Sequence, residues 1–275
     1  MAQLFALPDG RNLEYLVSGP NHGFPLVWIH GIKIITFSKP GYGRSTRKEG
    51  RRVVDTVADI QALLAHLKVE KCCVGGWSGG GADALACAAR LRGCVAILSI
   101  AAFAPYDAGG LDWLADKEEA SVRGFKAALE GEDELLKHIG PARIGMVNTD
   151  VSTMLEGLSK SFPEADQDAM RENPGMALNL VQSMQEGLRN NCDGWVDDNM
   201  AMLAPWGFGL DEIQVPVFLY QGGVDNTVPN AHGKWLSNHL PQGKLQTHFC
   251  EDRGHISIYL GHEKDIIRAL EAVEQ

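Results

Sequence analysis

The chain has 275 residues, a formal net charge of −10 and a sequence pI near 5.4, and this acidic balance excludes nucleic acid as a partner, because phosphate binding needs a concentrated positive face. At 45% hydrophobic and 22% charged residues the composition is that of a globular chain long enough to bury a sizeable core, and its longest apolar run, residues 94–105, falls far short of the ~20 residues of a membrane span. The six cysteines (72, 73, 87, 94, 192 and 250) form no C-x-x-C pair, zinc spacing or disulfide framework, and the first residues do not read as a secretory signal, so a reduced, cytoplasmic protein is expected.

In chain order, residues 12–17 alternate weakly and read as a strand. Residues 25–29 (P-L-V-W-I) are continuously apolar, as a strand buried on both faces should be. His30 and Gly31 end it, and residues 33–37 (K-I-I-T-F) read as the next strand, followed by a turn-rich stretch to Ser45. Arg47, Lys48, Arg51 and Arg52 form the only basic run; Glu49 interrupts it, and it reads as a solvated loop. Val54, Val57, Ile60, Leu64 and Leu67 recur at steps of three and four and mark an amphipathic helix. A short strand (72–75), an alanine-rich helix (79–91) and a buried strand (95–101) follow. This alternation predicts an α/β fold: a mostly parallel central sheet flanked by helices. From about 106 to 210 the pattern is helical, broken by Pro141, Pro163, Pro174 and Pro205, and seven of the eight methionines lie there. The expected organisation is a core of residues 1–104 and 211–275 with a helical cap, 105–210, inserted. Strands at 215–220 and 245–249 and helices near 232–240 and 263–273 complete the core.

Gly76-Trp77-Ser78-Gly79-Gly80 matches G-x-S-x-G between a predicted strand and a predicted helix. That is the context of a nucleophile elbow, a sharp turn whose small flanking residues let the backbone fold tightly and expose the serine. The N–H of the following residue, Gly79, then points at a developing oxyanion, aided by the positive end of the helix. A glycine-rich phosphate loop is the alternative, but the spacing is wrong and no lysine follows.

With the elbow in place, the chain resembles the α/β-hydrolase fold family in its capped branch of serine hydrolases. Four landmarks match in order: His30-Gly31 after an apolar strand, Pro40-Gly-Tyr-Gly-Arg-Ser45, the elbow, and Gly223-Val-Asp-Asn-Thr-Val-Pro229 followed by Gly254-His255. The resemblance implies a triad of Ser78 as nucleophile, His255 as general base and then acid, and Asp225 as the group that orients the histidine. Asp211 and Asp252 are weaker candidates for the acid, and His232, His239 and His262 read as solvated residues on surface helices. A serine at the elbow favours acyl transfer over the carbon–halogen and epoxide chemistry of relatives with aspartate there. The expected activity is hydrolysis of an ester, amide or related acyl bond of a small, mainly apolar substrate, with no metal or organic cofactor. Weaker expectations place His30, Trp77, Trp195, Trp206 and Phe208 around the substrate.

The sequence departs from the family at one place. Its third and fourth strands are normally joined by a helix, and a parallel crossover needs a dozen or more residues; here only His30, Gly31 and Ile32 separate the two predicted strands. Either the strands rearrange, or one leaves the sheet, or a longer form of the protein carries the missing segment. The second oxyanion donor falls on Ile32. Two alternatives to an active enzyme therefore stay open: a catalytically impaired shortened form, and a non-catalytic ligand-binding member of the same fold.

Overall fold

The structure, a computed structural model, describes residues 2–19, 25–27 and 33–274. Its strands and helices are β1 (Gln3–Ala6), β2 (Asn12–Ser18), β3 (Pro25–Val27), β4 (Lys33–Phe37), α1 (Thr56–His66), β5 (Cys72–Trp77), α2 (Gly79–Arg90), β6 (Cys94–Ile100), α3 (Glu119–Glu130), α4 (Glu132–Asn148), α5 (Val151–Ser159), α6 (Glu164–Glu172), α7 (Pro174–Gly187), α8 (Asp193–Leu203), β7 (Val217–Gly222), α9 (Asn230–His239), β8 (Leu245–Cys250) and α10 (Glu263–Glu274). One eight-stranded sheet runs in the order β1-β2-β4-β3-β5-β6-β7-β8. The pairs β1–β2 and β2–β4 are antiparallel, and all pairs from β4 to β8 are parallel. The expected α/β architecture is present.

β5, β6 and β7 are adjacent interior strands of the sheet. Their side chains are almost wholly buried, as strands covered by helices on both faces must be. The larger apolar cluster unites Ile35 of β4, Leu63 and Leu64 of α1, Leu85 and Cys87 of α2, and Leu219 of β7. On the other face Leu98, Phe218 and Tyr220 pack against Ile266 and Leu270 of α10.

β1 is absent from the sequence reading. It is a four-residue edge strand with no apolar alternation and three exposed positions. Its signal lies in the turn that follows: Asp9-Gly10, with Gly10 at φ +86° and its N–H bonded to the Leu7 carbonyl, makes the hairpin to β2.

The expectation that β3 and β4 cannot be parallel neighbours is corrected. Pro25 pairs with Lys33 and Leu26 with Ile34, in parallel. Between the described parts of the two strands the distance to cover is short. From Val27 the chain must return only ~7 Å along the strand direction and step ~5 Å sideways. The five residues 28–32 reach at most ~17 Å. These residues lie outside the described ones, and with them His30 and Ile32.

Between β6 and β7, residues 119–203 carry six helices and no strand among the described residues. Pro163 is the N-cap of α6, Pro174 opens α7 and Pro205 follows α8. Pro141 does not break the pattern as expected; it sits inside the continuous helix α4, which goes without one ladder N–H there. The basic run is not a solvated loop either. Arg47 bridges Glu132 of α4 and Asp197 of α8, and Arg51, buried, donates to Asp198 of α8 and to the Gly194 carbonyl. These two arginines dock α4 and α8 on the segment that follows β4.

Candidate active site

Ser78 stands between β5 and α2 with φ +59° and ψ −126°, a conformation that non-glycine residues adopt only under strain. Two bonds fix it: its N–H donates to the Ile100 carbonyl at the end of β6 (2.8 Å), and its own carbonyl accepts from Gly81 (2.9 Å). The glycines around it divide into two kinds. A Cβ on Gly76 would lie 1.8 Å from the Gly80 carbonyl oxygen, and one on Gly81 would lie 2.5 Å from the Ala102 Cβ, whereas Gly79 and Gly80 have open space. The turn thus requires glycine at 76 and 81. Gly79 is the first residue of α2, where helix N–H groups have no partner within the helix.

Asp225 and His255 are brought together from loops after β7 and β8. His255 Nδ1 and Asp225 Oδ2 are 2.8 Å apart, with both side chains almost fully buried. The other Asp225 oxygen accepts the N–H groups of Thr227 and Val228, each at 2.8 Å, so one oxygen shapes the loop and the other faces the imidazole. Trp77, next to Ser78, donates its indole N–H to the His255 carbonyl at 2.8 Å, and the two rings lie 4.9 Å apart. Asp211 and Asp252 are exposed.

Ser78, Trp77 and Gly79 open onto a cavity of about 660 Å³. The helices between β6 and β7 supply most of its wall: Phe125 of α3, Ile139 and Met146 of α4, Leu158 of α5, Trp195 and Met202 of α8. Trp77 and Trp195 line this cavity; Trp206 and Phe208 do not. Both belong to the core that β5, α1 and α2 share, stacked on each other 5.7 Å apart, and the Trp206 carbonyl caps Val54. The segment after α8 turns inward to join that core, which the sequence pattern does not reveal. Among the described residues no cluster of three or more His, Cys, Asp or Glu side chains is arranged to hold a metal ion.

Two charged groups beside the cavity carry no signal in the sequence. Lys39 on the cavity wall pairs with Asp83 (2.7 Å) and Asp198 (2.6 Å), and Arg51 and Tyr42 also bind Asp198. Burial favours the protonated acid at Asp198, but the two cations override it and hold its pKa at about 2. Lys117 is buried with its ammonium 4.6 Å from the ring centres of both Phe103 and Trp113. Burial pulls its pKa down to about 7, against an opposing pull from Asp225. His232 is not solvated as expected. It is buried between Phe103 and Trp113, its Nδ1 accepting the Ala104 N–H, and burial, then the Lys117 charge, lower its pKa to about 3.

Both shifts leave the unfolded chain holding more protons than the folded one, over about pH 3–6.5 for His232 and about pH 7–10.5 for Lys117. Stability rises with pH across both windows. In Lys117→Met the upper rise is expected to vanish, so wild type gains in melting temperature over the variant from pH 7 to pH 9. Parallel melting curves over that interval would contradict this account.

Known proteins resemble this chain in sequence and in fold. An uncharacterised hydrolase of Bacillus subtilis (strain 168), YcgS, is 25% identical over 280 residues, covering 93% of this chain and 92% of that protein. A pimeloyl-[acyl-carrier protein] methyl ester esterase of Chromobacterium violaceum is 26% identical over 234 residues, covering 84% of this chain and 79% of that protein. The solved esterase of Exiguobacterium antarcticum has the same fold, with a TM-score of 0.66 at 18% identity over 100% of both chains. The model of the alpha/beta hydrolase fold matches residues 21–261, and by that match, the sheet order and the strand–serine–helix turn, this chain belongs to the alpha/beta hydrolase fold family.

Proposed function

We propose that the protein is a serine hydrolase that cleaves an ester, amide or related acyl bond of a small, mainly apolar substrate. The observation that carries this reading is the placing of Ser78, strained on its turn and open to the large cavity, one residue from the Trp77 that holds His255 and its buried partner Asp225. Ser78 Oγ attacks the acyl carbon as His255 Nε2 takes its proton. Asp225 keeps the proton on Nδ1 and stabilises the imidazolium. The Gly79 N–H binds the oxyanion, with residue 32 as the second donor on the family resemblance. His255 then protonates the leaving group, and water hydrolyses the acyl-enzyme by the same steps. Residues 105–210 act as a cap whose helices wall the cavity. A volume of about 660 Å³ suits a drug-sized ligand. Its apolar side chains suit an acyl chain, and the ester chemistry named for the Chromobacterium relative favours an ester over an amide. Cytoplasmic location belongs to the same reading: five of the six cysteines are buried and Cys250 is half-buried, as the small hydrophobes of a reduced chain are.

Fluorophosphonate labelling read by intact mass tests it. Wild type is expected to gain one adduct and Ser78→Ala none. A second reading, a catalytically impaired short form, draws on the five-residue link between β3 and β4. It predicts no adduct on a wild-type chain that still melts cooperatively.

A further inference from the structure

We infer that Asp166, a residue of the inserted helix α6, is a positioning residue for His255. It sets the backbone from which the imidazole is aimed at Ser78 and Asp225. The inference builds on the catalytic roles proposed above.

Asp166 is completely buried, and among the described residues no lysine, arginine or histidine pairs with it. A carboxylate so placed is tolerated only when hydrogen bonds replace its water. Four do, and all come from the histidine loop. Oδ2 accepts the His255 N–H at 2.8 Å. Oδ1 accepts the N–H groups of Ile256 (3.1 Å) and Ser257 (2.8 Å) and the Ser257 hydroxyl (2.7 Å). Three successive N–H groups thus converge on one anion. The approach is close enough to demand glycine beside it, because a Cβ on Gly254 would lie 2.5 Å from Asp166 Oδ2. The Ser257 hydroxyl also accepts the Gly254 N–H (2.8 Å), which ties both sides of His255 to the same carboxylate.

His255 is consequently held at three points. Trp77 grips its carbonyl, Asp225 its ring and Asp166 its N–H. Only Asp166 comes from the inserted helices. Apolar packing runs alongside, with Met170 and Ala177 of the insertion against Ile256 and Trp77. The acid loop is fastened to the same region, since Asn226 donates to the Ser161 carbonyl and accepts the Glu118 N–H. The insertion therefore builds part of the catalytic geometry as well as walling the substrate cavity.

Asp166→Asn isolates the effect. The amide oxygen is retained by the three donors at Oδ1, so the NH₂ group falls at Oδ2 and faces the His255 N–H, donor against donor. Fluorophosphonate labelling is expected to slow roughly 10- to 100-fold, the scale of a catalytic group displaced by about 1 Å. The loss should fall on the limiting inactivation rate and not on the half-saturating probe concentration. Ser257→Ala, which removes one of the four bonds, should show a smaller slowing. A second readout needs no reactive serine: long-range ¹H–¹⁵N spectra of the histidine rings, with His255 assigned by its loss in His255→Gln. The ring signals of His255 are expected to move in Asp166→Asn. Unchanged ring signals and an unchanged labelling rate in a variant that melts like wild type would overturn the inference. If Asp166→Asn does not fold, the same null result in Ser257→Ala would overturn it. Ring signals that move while wild type itself takes no label would leave the inference standing and remove the serine-hydrolase reading.

Discussion

Asp225→Asn is expected to lower turnover roughly 10⁴-fold with little change in the fold, the effect of forcing the wrong tautomer on a triad histidine. Here the direction follows from which oxygen does what. One oxygen accepts two backbone N–H groups, from Thr227 and Val228, and the other meets His255 Nδ1. In the asparagine variant the amide oxygen is claimed by the two backbone donors. The NH₂ group is left facing Nδ1 and can only donate. Nδ1 must then accept, so the ring proton moves to Nε2, the atom that receives the proton of Ser78 in the proposed mechanism. The loop keeps both of its backbone bonds, so the melting temperature should hold. Rates of fluorophosphonate labelling and of hydrolysis of an activated ester check this, beside thermal melts of both proteins. A loss below tenfold in a folded variant would show that Asp225 does not set the tautomer.

How much of this was legible in the sequence depended on how local each signal is. The Ser78 turn could be read because a strand, five nearby glycines and a helix lie within one short stretch, although Gly79 and Gly80 have open space where a side chain would begin. The strand at residues 33–37 was read with its observed bounds. Asp225 and His255 followed from the order of motifs along the chain. Asp166, by contrast, looks like any acidic residue in the first turn of a polar helix, and its four donors lie some 90 positions away, as with His255 at a separation of 89. Lys117 gives no hint of burial, because the rings that cover it come from the loop after β6 and from the segment leading into α3. Trp206 and Phe208 were drawn towards the substrate by their chemistry, which is equally that of core residues. Arg51 failed for the same reason: charge in a sequence window says nothing of a carboxylate such as Asp198 that arrives 147 residues later.

The second large effect is on stability. Gly76→Ala is expected to cost about 3 kcal/mol or more and to lower the melting temperature by about 6–12 °C, at the upper end of what forced overpacking does. The added methyl carbon would lie 1.8 Å from the Gly80 oxygen, 2.2 Å from the Gly80 carbonyl carbon and 2.8 Å from the Gly81 nitrogen. All three are backbone atoms, so no side chain can swing aside. Neither segment is free to yield. Gly76 is paired with Ser99 of β6 in the middle of the sheet, and the helix that follows is locked through the Ser78 and Gly81 hydrogen bonds. Relief requires β5 and α2 to separate, which carries Ser78 out of the turn, so labelling should be lost even in molecules that remain folded. Gly80→Ala is the matched control, because its Cβ meets nothing within 4 Å and alanine favours the helix by up to ~1 kcal/mol. The two variants add the same atom four residues apart and should move the melting temperature in opposite directions. Equal melting temperatures would mean that the turn is not as tight as its geometry states, and the strain at Ser78 would then need another origin.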